Sequence, residues 1–360
     1  MNRLAVDLYS ALASAQHEPA NLVFSPASIS MTLAMAREGA AGTTSAQLDS
    51  LLGTGEGSEL TRSVRALTTS VETGGLELAI VNSMFVQRGY ELGIRFVDTL
   101  RSRYDTMPQL VDYAADPENA RTRINAWVDE ATRHRIATLV PRGAVDGDTR
   151  LTLVNAIYMK ARWQFPFAAS ATKDAEFTCA DGVVRSVPTM RLVAGLAYAA
   201  GDGWRAVSLP YLPGSLSMLI VVPDSGRSLE SAVTVAASAT PTDWARVAVS
   251  LPRFDIGTAV SLVRPLRELG LRDAFDLATA NFSGITTAEP MCIGDVVHQA
   301  NITVDEAGTE AAAATALAMA GSGPAPEPPI EFRVDHPFAF AVRDANSSTP
   351  LFLGHIGNPT

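Results

Sequence analysis

The 360-residue chain holds only two cysteines, Cys179 and Cys292. Two thiols cannot staple a chain of this size, so a disulfide framework is excluded and both read as free. There is no Cys-x-x-Cys and no His-Glu-x-x-His, which removes the common thiol-redox and zinc motifs. Lysine is confined to Lys160 and Lys173, and the remaining cations are arginine, the mark of a GC-rich, bacterial gene. Charged residues make up 18% of the chain, below the usual quarter or so, which excludes a long coiled coil or wholesale disorder. The net charge of -10 opposes general binding to nucleic acid or to an anionic membrane. No long apolar run is intact either. A long uncharged stretch, 206–223, is broken by Pro210, Pro213, Gly214 and Pro223 into two strands and a turn rather than a membrane span. No secretory leader is visible, so the chain is expected to be cytoplasmic or to have lost a leader.

What is present is apolar residue in quantity, 47%, enough for a sizeable core. The N-terminus places Leu4, Leu8, Ala11, Leu12 and Ala15 on one helical face. Helices are expected at 28–39 after Ser25-Pro26, from Thr43, and over 118–135 after Asp116-Pro117, because proline at a helix start loses no needed N–H. Short apolar or alternating runs at 151–159, 204–209, 216–222, 247–251 and 338–342 read as strands, and Val260–Leu269 returns to helical spacing. Helices and strands without regular alternation indicate α+β rather than a doubly wound sheet. There is no internal repeat and no linker before residue 305, so a single domain over 1–360 is expected.

One segment departs from this pattern. Residues 308–329 form a long alanine-rich run that ends in Gly, Ser and Pro, between strand-like stretches at 296–304 and 330–334. Loops of this length inside compact domains are usually functional or disordered. Alanine propensity alone allows a plain helix over 310–320 with a proline-rich tether. Read at period two, the same run places Thr309, Ala311, Ala313, Thr315, Leu317 and Met319 on one face and Glu310, Ala312, Ala314, Ala316, Ala318 and Ala320 on the other. Such a strand is small and almost uncharged. It would meet little steric resistance on entering a packed sheet.

Val304-Asp-Glu-Ala-Gly-Thr-Glu-Ala-Ala-Ala-Ala-Thr-Ala316 closely resembles the hinge of a serpin reactive-centre loop. Further stretches resemble serpin motifs in serpin order: Asn21-Leu-Val-Phe-Ser-Pro-Ala-Ser-Ile29, Gly39-Ala-Ala-Gly-Thr-Thr44, Leu153-Val-Asn-Ala-Ile-Tyr-Met-Lys-Ala-Arg-Trp163, Leu251-Pro-Arg-Phe254, Asn281-Phe-Ser-Gly-Ile285, Val297-His-Gln-Ala300, Asp335-His-Pro-Phe338 and Leu351-Phe-Leu-Gly-His-Ile-Gly-Asn-Pro359. Met159 and Ala161 depart from the family's usual Phe and Gly. The resemblance implies one domain with three β-sheets, eight or nine helices and an exposed loop over about 306–329. It also implies inhibition by loop cleavage, trapping of the acyl-enzyme, and insertion of the loop as a strand. The hinge residues would be Glu306, Gly308, Thr309, Glu310, Ala311, Ala312, Ala313 and Ala314, and none of them carries the proline or bulk that hinders insertion. Serpin spacing counted from Glu306 puts the scissile bond at Ser322–Gly323. Counting back from Asp335 moves it about one residue later, and Met319–Ala320 and Ala320–Gly321 remain alternatives.

No Arg or Lys lies between Ala311 and Pro329, so trypsin-like enzymes lack their cation, and the small residues suit elastase-like or subtilisin-like serine proteases. The alternative is a non-inhibitory serpin that serves as a binding or carrier protein. By the same resemblance, Ser25, Ser28, Asn155 and His298 form a polar cluster called the shutter, and Trp163, Arg253 and Glu306 form the breach where the loop enters. The stretch matching the heparin helix of some serpins, 59–73, offers only Arg62 and Arg65, so polyanion activation is not expected. A monomer without cofactor or metal is expected. An enzyme reading finds no support: no Gly-x-Ser-x-Gly elbow accompanies the five histidines, and Gly53-Thr-Gly-Glu-Gly57 lacks a phosphate-loop lysine.

Overall fold

The computed structural model describes residues 2–16, 20–53, 77–212, 214–308, 327–344 and 350–360. Helix α1 (Asn2–Ala15) buries Leu4, Leu8, Ala11 and Leu12, as its periodicity requires. Strand β1 (Asn21–Phe24) leads into α2 (Pro26–Gly39). There the Ser25 hydroxyl caps the helix by accepting from the Ser28 N–H at 3.1 Å, with Pro26 in the first turn. This helix is buried along nearly its whole length, so even its polar residues Ser28, Ser30 and Thr32 lie inside and bond to neighbouring groups. After α3 (Gly42–Leu52) the described chain resumes with β2 (Glu77–Gln87), α4 (Ile94–Tyr104), β3 (Gln109–Val111) and α5 (Pro117–Ala131). Helix α5 ends earlier than its sequence pattern suggests, because Arg133 and His134 take left-handed backbone conformations at φ 54° and 62°.

Strands then dominate: β4 (Leu151–Lys160), β5 (Arg162–Trp163), β6 (Lys173–Thr178), β7 (Val184–Gly201), β8 (Trp204–Leu212) and β9 (Leu216–Pro223). Helix α6 (Leu229–Ser238) precedes β10 (Asp243–Pro252), β11 (Phe254–Ser261) and the short α7 (Val263–Glu268). The helical spacing read from Val260 begins too early. Val260 and Ser261 still belong to a ladder, opposite His298 and Val297. Strands β12 (Asp295–Val304), β13 (Ile330–Arg333), β14 (Phe338–Asp344) and β15 (Phe352–Ile356) complete the described elements. Among the described residues there are seven α-helices, against the eight or nine implied by the family resemblance. No helix among them is long and apolar enough to cross a membrane.

Hydrogen bonding gathers the strands into two sheets. One has five strands in the order β11-β12-β4-β2-β3, and the other has ten. The ten-stranded sheet joins what the resemblance treats as two separate sheets. Its long strand β7 pairs with β10 over residues 189–198 and with β8 over 197–201. A continuous apolar core lies between the two sheets, with Ile157, Met159, Ala300 and Ile302 facing Val207, Met218, Phe338 and Phe340. The opposite face of the five-stranded sheet is covered in part by α5, where Ile124 and Val128 pack with Val154, Ala156 and Val297. Central strand β4 is therefore buried on both faces.

Candidate functional site

The middle of the five-stranded sheet contains a parallel pair. Strands β4 and β12 run in the same direction, in register from Thr152 opposite Asp295 to Tyr158 opposite Asn301. The ladder stops there, although β4 continues to Lys160 and β12 to Val304. Every other pairing of β4, β11 and β12 is antiparallel.

Beyond Val304 the chain reverses in a tight turn. The Asp305 N–H donates to the Gly308 carbonyl at 3.0 Å, and the Gly308 N–H returns a bond to the Asp305 carbonyl at 3.3 Å. The Asp305 carboxylate accepts from the N–H groups of Ala307 and Gly308 at 2.9 and 3.2 Å, which fixes the reversal from inside. Gly308 adopts φ +127°, and a Cβ there would lie 2.1 Å from the Ala161 carbonyl, so both conformation and space demand glycine.

Three predicted residues meet at this turn. The Trp163 indole N–H donates to the Asp305 carbonyl at 2.9 Å, and its backbone N–H donates to the Ala307 carbonyl at 3.0 Å. The ring stacks on Tyr211 with centroids 4.2 Å apart. Phe167 N–H donates to the Glu306 carbonyl at 2.9 Å. Glu306 turns its carboxylate inward, where Arg253 Nε donates at 2.9 Å and the Arg253 Nη2 and Thr172 hydroxyl also bond to it. Burial works to raise the Glu306 pKa, but the hydrogen bonds from Arg253 and Thr172 outweigh it and hold the carboxyl below its usual range.

The second cluster lies deeper. Sheet register places Asn82 of β2 directly opposite Asn155 of β4, and Asn155 opposite His298 of β12. The three form one row across adjacent strands. Asn155 Nδ2 donates to the hydroxyls of Ser28 and Thr32 at 2.6 and 3.0 Å and also bonds Asn82 Oδ1. Ser28 and Thr32 donate in turn to Asn82 Oδ1 at 3.1 and 2.9 Å. His298 Nε2 accepts from the Ser25 N–H at 3.2 Å, which leaves Nδ1 as the protonated nitrogen that donates to Asn155 Oδ1. Burial pushes the His298 pKa down to about 3, so the imidazole is neutral at physiological pH.

All four predicted members of this cluster come together, and Ser25 acts through its backbone N–H on His298 and through its hydroxyl as a helix cap. Sequence reasoning missed Asn82 and Thr32 here and Thr172 and Tyr211 at the turn. Asn82 carries the signal that found Asn155, a lone amide in an apolar strand. Of the hinge, Glu306 and Gly308 are described. Thr309, Glu310, Ala311 to Ala314, the candidate cleavage residues Met319 to Gly323, and residues 59–73 lie outside the described residues. Both cysteines are free, and no group of metal-ligating side chains occurs among the described residues.

The family model described as Serpin (serine protease inhibitor) matches residues 1–359. The leukocyte elastase inhibitor of Bos taurus is 37% identical, with 99% of this chain and 98% of that protein aligned. The crystal structure of Serpin48 from the insect Tenebrio molitor matches with a TM-score of 0.87 at 28% identity, over 100% of this chain and 97% of that one. Uncleaved ovalbumin matches with a TM-score of 0.87 at 26% identity, over 99% and 98% of the two chains. A match to the family model along almost the entire chain, with the parallel strand pair and the two polar clusters set in the same fold, makes this protein a member of the serpin family.

Proposed function

We propose that the chain is an irreversible suicide-substrate inhibitor of serine proteases, acting as a single unit over its 360 residues. The observation that carries this reading is the parallel pair β4–β12, whose ladder ends at Asn301 just before the chain reverses at 305–308. A chain that leaves β12 through such a turn runs antiparallel to both β12 and β4. It could therefore enter between them as a strand and gain a hydrogen-bonded ladder on each side. Both faces of β4 are packed, so the entering side chains must be small. The alanine-rich run from Thr309 meets that requirement.

Cleavage after Ser322, or at Met319–Ala320 or Ala320–Gly321, acylates the protease serine and releases the loop to insert. The carried protease must hydrolyse its ester before it is distorted. A misplacement of about 1 Å in an active site costs on the order of a hundredfold in rate, and deacylation needs both the triad and the oxyanion hole aligned. Elastase-like and subtilisin-like enzymes are the targets, since their shallow pockets accept small residues. The similarity to leukocyte elastase inhibitor supports that class. Cysteine proteases, which form a comparable acyl-enzyme, are a secondary class. The arginine bias supports a bacterial source.

The test is incubation with elastase, subtilisin and trypsin, followed by denaturing gels and mass spectrometry. The expected result is a denaturant-stable adduct with elastase or subtilisin and a released peptide that starts at residue 320–324. Cleavage without any adduct would indicate a binding or carrier protein, and an adduct with trypsin alone would overturn the target class.

A further inference from the structure

The parallel pair β4–β12 parts at one end, and Gly308 already stands in the opening. The ladder between the two strands ends at Tyr158 opposite Asn301. Four residues further along each chain segment, Gly308 forms one antiparallel bridge with Arg162 and another with Asp305. Arg162 follows Asn155 by seven residues, and Asp305 follows His298 by seven. Asn155 and His298 face each other in the ladder. Arg162 and Asp305 therefore continue the same register, with Gly308 between them as a third strand one residue long. The two segments are moved apart there without being slid past one another.

Asp305 is the hub of this row. Its carboxylate Oδ1 accepts from the Ala307 N–H at 2.9 Å and the Gly308 N–H at 3.2 Å, which closes the two-residue turn Glu306-Ala307 from within. Its backbone N–H donates to the Gly308 carbonyl at 3.0 Å, and its own carbonyl accepts from the Trp163 indole at 2.9 Å. On the other side the Trp163 N–H donates to the Ala307 carbonyl at 3.0 Å. Register carries unusual weight at this point. Side chains alternate between faces, so a slip of one residue would exchange every entering side chain between the two faces of the sheet. Both faces of β4 are packed, so neither tolerates the exchange.

We infer that Asp305 is a positioning residue for strand insertion: by fixing the 305–308 turn it sets the register of the entering strand before any bond is cut. The inference rests on the inhibitory reading above. Insertion then extends a row that already exists instead of nucleating one. Each residue after Gly308 meets a facing pair of β4 and β12 that is already aligned, so the two strands need only separate. Without the carboxylate the turn opens. Only molecules in which it has closed can insert, and the rate falls by that fraction. Slower insertion gives the acyl-enzyme longer to hydrolyse, so more inhibitor is consumed for each protease trapped.

The experiment uses the full chain with Asp305→Ala and with Asp305→Asn, which keeps an acceptor oxygen at the same place. Insertion after cleavage by elastase or subtilisin is followed by stopped-flow tryptophan fluorescence, and the number of inhibitor molecules consumed per adduct is counted on gels. Asp305→Ala should slow insertion roughly tenfold, the effect of losing one charge-assisted hydrogen bond, and raise the number consumed in step. Asp305→Asn should stay within about twofold of wild type. A role in stability alone would lower the melting temperature of the intact alanine variant and leave insertion rate and consumption unchanged, which overturns the inference. An asparagine variant as slow as the alanine variant overturns it too. If adducts form and both variants match wild type, the inhibitory reading stands alone. If no adduct forms but Asp305→Ala still inserts more slowly than wild type, the positioning role stands and the inhibitory reading falls. Absence of insertion in cleaved wild type overturns both.

Discussion

The two polar clusters of the five-stranded sheet are built on opposite principles. The row Asn82–Asn155–His298 is buried, uncharged and crossed by strands, and its side chains share their hydrogen bonds with one another and with Ser28 and Thr32. The Arg253–Glu306 pair is charged and half wet: the glutamate side chain is 11% exposed and the arginine 46%. A buried neutral network gains from low dielectric but fails as a unit when one member is lost. A partly solvated ion pair loses less when broken, because water replaces the missing partner. The deep cluster therefore suits a lock on the sheet, and the shallow one suits a latch on the turn that can release at modest cost.

The largest effect expected from this contrast comes from Asn155→Ala. It strands the His298 Nδ1–H and removes the donor to Ser28, Thr32 and Asn82, so a loss of about 3 kcal/mol is expected in urea unfolding. A loss no larger than that of a surface Asn→Ala change would mean the network is not cooperative. Gly308→Ala comes next. It forces a side chain into φ +127° and against the Ala161 carbonyl, and about 2 kcal/mol should be lost with the turn disordered. If hydrogen exchange at Asp305 and Ala307 stays as protected as in wild type, the turn is not fixed as described.

The pH dependence separates the clusters further. His298 is neutral in the fold with its pKa near 3, while an unfolded histidine titrates near 6.5. The folded state thus binds fewer protons below pH 6.5. Its stability is full above that value and falls as pH drops toward 3, by about 1.4 kcal/mol per pH unit at the steepest. His298→Gln should flatten the profile between pH 6.5 and 5, and an unchanged slope would remove histidine as its source. Glu306, held below its usual range, acts in a lower window. Its contribution is complete above the unfolded carboxyl value near 4.3 and is lost as pH falls through the folded value. Glu306→Gln is expected to cost at most about 1 kcal/mol at pH 7, because water screens Arg253. A cost above that of Asn155→Ala would reverse the assignment of lock and latch.

Much of the site was legible in the chain because burying a polar group leaves a local trace. Asn155 and His298 interrupt apolar runs, and Ser25 precedes a proline that opens a helix. Asn82 left the same trace within Ala-Ile-Val-Asn-Ser-Met-Phe85 and was overlooked, since no family motif marked it. Thr172 and Tyr211 left none: one lies between Ala171 and Lys173 in an ordinary run of small and polar residues, and the other beside a proline-broken turn. Helix ends also escaped local reading. The ladder that holds Val260 depends on His298, distant in the chain, while the left-handed residues at 133 and 134 close back on Glu130 and Asp129 through bonds that helical periodicity does not announce.

The sequence by itself determined where the apolar faces lie, where prolines open helices, and that the run from Thr309 is small enough to enter a sheet. Those properties follow from local sterics and periodicity, which act over a few residues. Only the tertiary structure decided that β4 and β12 run parallel, that Asn82, Asn155 and His298 share one row, and that Arg253 reaches Glu306 across 53 positions. Strand register and the partners of a buried charge are set by packing between segments far apart in sequence, which no local pattern encodes.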